Sequence, residues 1–171
     1  MSVRATARMT QDVDLAVAVA DDPDAESLIK GLLVQGYRVL AQIEQEATGR
    51  LATVRLVDAA DGVIVDLLFA SCGIESEVAG AAERVEIERG LVIPVARREH
   101  LLAMKVLARN DRRRPQDHDD LVAMIQRAES GEISRAKDAL RLIESRGNAR
   151  GKDLVAEFDA LLAELGRGGA S

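Results

Sequence analysis

Hydrophobic and polar positions change their period once along this chain. As far as Pro94 the apolar residues fall in short valine-rich runs broken by Asp and Gly, and beyond it they recur at helical spacing. Residues 13–20 alternate weakly and run into Asp21-Asp22-Pro23-Asp24, the composition of a helix start, so a strand leads into a helix over residues 23–35. Leu28, Leu32 and Leu33 are the apolar stripe this spacing predicts, and Gly36 is the expected stop. Extended runs follow at 37–46, 51–57 and 63–70. The gaps between them, Thr48-Gly49 and Asp58-Ala59-Ala60-Asp61-Gly62, are short and rich in turn residues, which predicts antiparallel neighbours. A short helix at 74–82 and a strand pair within 85–95 complete the mixed part. Helices are predicted at 97–109, 116–128, 133–145 and 152–165, the last with Leu154, Val155, Phe158, Leu161, Leu162 and Leu165 on one face.

This order of elements is that of an α+β protein: residues 1–96 as a mixed core, 97–166 as a helical region packed on it, and 167–171 as a disordered tail. A length of 171 residues and 47% apolar content predict one main core. Tyr37, Phe69 and Phe158 are the whole aromatic complement, so aliphatic side chains must fill that core and base-stacking platforms are nearly excluded. The net charge of −6 opposes non-specific attraction to phosphate backbones but leaves room for a local basic face. A single cysteine, Cys72, permits no internal disulfide, and the expectation is a soluble, cytoplasmic protein without a signal peptide or membrane span.

Candidate chemistry begins with Asp12 and Asp14. Side chains two apart on a strand share a face, so both carboxylates can grip one hard cation; alternatively they are polar residues at a strand start. Asp66 interrupts Val63-Ile64-Val65 and Leu67-Leu68-Phe69, a run that reads as a buried strand, so its charge needs a cation, a metal or a proton. Lys105 breaks an apolar helical face and either binds a triphosphate as a point charge or snorkels to water. Arg112-Arg113-Arg114 reads equally as a phosphate patch or a solvated loop. After it, Pro115 starts a helix whose Asp117 and Asp120 either complement the helix dipole or belong to a site. His100 and His118 fit no metal or nucleophile pattern and are read as structural.

Taken in order, Arg8-Met9-Thr10-Gln11-Asp12-Val13-Asp14-Leu15, Val65-Asp66-Leu67-Leu68-Phe69, His100-Leu101-Leu102-Ala103-Met104-Lys105, Arg114-Pro115-Gln116-Asp117 and Asp120-Leu121 make a set more specific than its pieces. The set resembles the AbiEii-type nucleotidyltransferases, the toxin branch of type IV toxin–antitoxin systems within the DNA polymerase β-like superfamily, over roughly residues 4 to 125. The resemblance implies a nucleotidyltransferase-like mixed sheet and transfer of a nucleotidyl group from an NTP to an acceptor, tRNA in some members. It implies Mg²⁺ or Mn²⁺ held by Asp12, Asp14 and Asp66. Lys105 would neutralise triphosphate charge, and Arg8, Thr10, Arg114, Asp117 and Asp120 would line the nucleotide. The partners it implies are the NTP, an RNA acceptor and a cognate antitoxin; family members also have a helix upstream of the Asp-x-Asp, and without it an apolar groove would be exposed, to be covered by a second copy of the chain or by the protein's own tail. Family members also carry a Gly-Gly or Gly-Ser turn upstream of the Asp-x-Asp, and residues 2–5, Ser-Val-Arg-Ala, hold no glycine. Slow or absent transfer is therefore expected of this chain, and the alternative reading is a degenerate member that binds nucleotide, RNA or antitoxin without turnover.

Overall fold

The structure, a computed structural model, describes residues 12–45, 49–110 and 115–167. Arg8, Thr10 and Arg114 lie outside these residues, as does the tail from 168 onward. Where one main core was expected, the chain divides into two compact units, with the boundary between Gly80 and Ala81.

In the first unit, β1 (Asp12–Ala16), β2 (Tyr37–Glu44), β3 (Leu51–Asp58) and β4 (Ile64–Leu68) form a mixed sheet in the order β1-β4-β3-β2. β1 runs parallel to β4, and the other pairings are antiparallel as the short turns predict. Helix α1 (Asp22–Val34) starts where the acidic cluster predicts, with the Asp24 N–H donating to the Asp21 side chain at 3.1 Å and proline in the first turn. It ends at Gly36, whose φ of 101° is open to glycine and strained for other residues. One face of the sheet packs on this helix: Val54, Leu56, Leu67 and Phe69 meet Ala25 and Ile29, with Leu32 and Val65 at the margin. The buried stripe is therefore Ala25-Ile29-Leu32, whereas Leu28 and Leu33 flank it and remain exposed. A small alanine lets the helix approach the sheet, and the bulkier leucines are left on its shoulders. Helix α2 (Glu75–Gly80) packs on β1, and its Glu75 is buried while accepting hydrogen bonds from Ser71 Oγ (2.9 Å) and the Cys72 N–H (2.7 Å).

The second unit begins with β5 (Glu83–Glu88) and β6 (Leu91–Val95), an antiparallel pair that shares no ladder with the four-stranded sheet among the described residues. Strand periodicity predicts the pair but not which sheet it joins. The rest is α3 (Arg98–Ala108), α4 (Pro115–Arg127), α5 (Ser130–Ser145) and α6 (Leu154–Glu164). The amphipathic reading of α6 holds: Leu154, Phe158, Leu161 and Leu162 are buried. Helix ends are tied by cations, which the dipole favours at a C-terminus. Lys152 Nζ donates to the carbonyls of Leu107 (3.1 Å) and Arg109 (2.7 Å) beyond α3, and Arg167 donates to those of Ile125, Gln126 and Ala128 at the end of α4. At the start of α5, Glu132 accepts from the Glu129 N–H (2.8 Å) and from Arg98 Nη1 (2.7 and 2.9 Å). Among the described residues no helix is long and apolar enough to cross a membrane.

Two predictions follow from these contacts. Burial alone would raise the Glu132 carboxyl, but the Glu129 N–H and the Arg98 guanidinium outweigh it and hold the group below its ordinary value of 4.5. Its contribution is complete above the unfolded value and lost as pH falls through the lower folded one. Glu132→Gln should cost about 1–2 kcal/mol in urea unfolding at pH 7, with the gap to wild type narrowing as pH falls below the ordinary carboxylate value. The Cys72 thiol, buried and beside the Glu75 carboxylate, is pushed up to about 12. Alkylation by iodoacetamide at pH 8 should be slow in the folded protein and fast in urea.

Candidate functional site

The site is built by a turn. Between β3 and β4 the Asp58 N–H donates to the Val63 carbonyl (2.9 Å), the Gly62 N–H to the Asp58 carbonyl (2.9 Å), and the Ala60 N–H to Asp58 Oδ1 (2.8 Å). Gly62 takes the left-handed φ of 71° that closes the loop. This closure fixes the ladder so that Arg55 stands opposite Asp66, Leu56 opposite Val65 and Val54 opposite Leu67. Odd and even positions then separate. Val54, Leu56, Val65 and Leu67 point to α1, and Arg55 and Asp66 to the other face.

On the far side of β4, parallel pairing sets Asp14 opposite Asp66, Asp12 opposite Ile64, and Val13 opposite Val65. Residues opposite one another in a ladder share a face, so Asp12, Asp14 and Asp66 all lie on the face that carries Arg55. They differ in depth: Asp66 is buried on an inner strand, while Asp12 and Asp14 are exposed on the sheet's edge. The groove along α1, lined by Val19, Asp24, Leu28 and Leu32, contains none of them.

Asp66 has its cation in Arg55. Arg55 Nε donates to Asp66 Oδ1 at 2.8 Å and Nη2 to Oδ2 at 2.6 Å, a two-pronged charged pair that satisfies both oxygens. The hydrogen bond to Asp66 and then its charge hold the Arg55 guanidinium above the ordinary arginine value, with Asp12 and Asp14 adding theirs. One arginine therefore feels the three carboxylates together. Among the described residues no group of three or more His, Cys, Asp or Glu side chains is gathered closely enough to hold a metal ion. The donor set nonetheless suits a hard ion: it is all oxygen and carboxylate, and a positive group already rests on it. Magnesium commonly takes one or two protein carboxylates and fills its shell with water and phosphate, so a closed cage is not required.

The remaining sequence-derived residues belong to the second unit. Lys105 Nζ donates to Asp120 Oδ2 at 3.1 Å, both about one-third exposed, so the lysine on α3 is paired to the first turns of α4. Asp117 is in the first turn of α4, where the helix dipole favours an acid. His118 Nδ1 lies 3.1 Å from Arg109 Nη2.

A family model described as nucleotidyl transferase AbiEii toxin, type IV TA system, matches residues 1–167. The chain belongs to that family. Its mixed sheet and helices are those of an α+β, nucleotidyltransferase-like fold, and membership in a toxin–antitoxin family implies a cognate antitoxin as partner. A search of curated proteins finds no match to the chain.

The residue that sequence reasoning missed in this AbiEii-family chain is Arg55. A signal was present: Ala59-Ala60-Asp61-Gly62 reads as a four-residue hairpin loop, and a ladder closed by Asp58 and Val63 pairs 57 with 64 and hence 55 with 66. An Asp in an apolar strand then finds its arginine across the turn. The pair should show in a double-mutant cycle of urea unfolding in EDTA. We expect Arg55→Leu alone to cost about 1–3 kcal/mol, because it strands a buried carboxylate, and Arg55→Leu with Asp66→Asn to cost about 1 kcal/mol less than the sum of the singles. Additive costs would show that the pair contributes nothing.

Proposed function

We propose that this chain is a divalent-metal-dependent nucleotidyltransferase that moves a nucleotidyl group from an NTP to an RNA hydroxyl, tRNA being the acceptor class the family suggests, in the cytoplasm where both are found. The observation that carries this reading is the level placement of Asp14 and Asp66 on neighbouring parallel strands, with Asp12 on the same face. Asp12 and Asp14, exposed on the edge, are the carboxylates that would hold the ion on the triphosphate side. Asp66, deeper and satisfied in the ion-free chain, takes the acceptor side. A bound Mg²⁺ or Mn²⁺ would supply charge neutralisation for the attacking and leaving oxygens. In the reaction the acceptor oxygen bonds to the α-phosphorus, the bond from that phosphorus to the bridging oxygen breaks, pyrophosphate leaves, and the hydroxyl proton passes to a carboxylate of the set or to water. Roles for Lys105, Arg114, Asp117 and Asp120 in holding the nucleotide are proposed from the family pattern alone.

A second reading is favoured by the same Arg55 fork. Because Asp66 is satisfied without any ion, the fold stands without catalysis, as in a member that binds nucleotide, RNA or antitoxin only. Labelled NTPs incubated with a pool of small RNAs and Mg²⁺ or Mn²⁺ separate the two. The transferase reading expects label in RNA that falls at least roughly a hundredfold in Asp14→Asn and in Asp66→Asn, the equivalent of about 3 kcal/mol of lost transition-state stabilisation. Absence of transfer, with NTP binding retained in both variants, would leave the binding protein.

A further inference from the structure

The two partners of the Arg55–Asp66 fork are unequally free. The Asp66 side chain is 10% exposed on an inner strand, whereas that of Arg55 is 46% exposed and long enough to swing into water while its backbone stays in the ladder. Both Asp66 oxygens are engaged, at 2.8 and 2.6 Å, so an ion approaching from the open face reaches an oxygen already hydrogen-bonded to a cation. Like charges cannot share that oxygen cheaply, and the arginine is the one able to leave. Asp12 and Asp14 stand on the same face, so an incoming ion finds its first oxygens on the edge strand before it meets the fork.

We propose that Arg55 is the resident cation of this site, which a divalent ion must displace from Asp66 in order to bind fully, so that Arg55 sets the ion affinity and keeps Asp66 satisfied when no ion is present. The proposal rests on the metal-dependent reading above and deepens it. An arginine of this kind makes the ion-free protein self-sufficient and the ion-bound state a substitution of one cation for another.

The test is titration of the full chain with Mn²⁺ alone, followed calorimetrically, for wild type, Arg55→Met, Arg55→Lys and Asp66→Asn. Arg55→Met should bind Mn²⁺ about tenfold more tightly than wild type, a change of ~1.4 kcal/mol, since nothing has to be displaced. Arg55→Lys keeps the charge but not the fork and should fall between, at about threefold tighter. Asp66→Asn should bind more weakly than wild type. In the wild type, saturating Mg²⁺ should move the Arg55 Nε–H resonance and open it to solvent exchange. If Arg55→Met and Arg55→Lys bind no tighter than a wild type that does bind, and the Nε–H resonance is unmoved, Arg55 is a structural partner only and the proposal is overturned while the metal site stands. If neither wild type nor Arg55→Lys binds Mn²⁺, the metal-dependent reading falls and takes the proposal with it. Should Arg55→Met fail to fold, Arg55→Lys and the resonance decide.

Discussion

A carboxylate on an inner strand of a small mixed sheet has to be balanced, and the Arg55–Asp66 fork is how this chain balances it. Desolvating Asp66 without a partner would cost more than the few contacts of a four-stranded sheet and one helix can spare. The fork removes that cost only if two independent conditions hold. The β3–β4 turn must close with the ladder that sets Arg55 against Asp66, and the apolar residues of both strands must all fall on the α1 side. The packing of Val54, Leu56, Val65 and Leu67 and the placement of the charged pair are thus one decision, made by the register.

Parallel pairing of β1 with β4 carries the same decision one strand further. Because Asp14 is level with Asp66, the edge strand offers its carboxylates to the face already occupied by a charged group, and leaves Val13 and Leu15 to the face of α1. Depth separates the acids into a buried inner one and exposed outer ones. That division, rather than any closed cavity, is what the proposed site would offer to a hard ion and a phosphate-bearing substrate.

Much of this was legible beforehand. The extents of β2, β3 and β4, their antiparallel order, the acidic start of α1 and the amphipathic α6 follow from local rules that depend on a few neighbouring residues, and each appears within two residues of its expected bounds, whereas β1 ends at Ala16, four residues short of Ala20. Asp66 announced its need for a partner because a charge in an apolar run has no local solution. What local rules do not carry is pairing. Arg55 looked like one more polar position of an alternating strand until the ladder gave it an opposite number, and β5–β6 read as strands without saying which sheet they join. The α1 stripe was misjudged for a related reason: leucine content pointed to Leu28 and Leu33, whereas closeness of approach selected Ala25 and Ile29. Lys105 and Asp120 were each legible as chemically apt residues but not as a pair, and the salt bridge shows them as partners within the second unit.

Side chains on a strand alternate with a period of two, so one residue gained or lost between Asp58 and Val63 would slide β4 by one step against β3 and turn Asp66 toward α1 while Leu67 faced water. Point changes at Ala59 or Ala60, which are exposed, leave the count intact. The register therefore constrains this loop by the parity of its length rather than by the identity of its exposed residues.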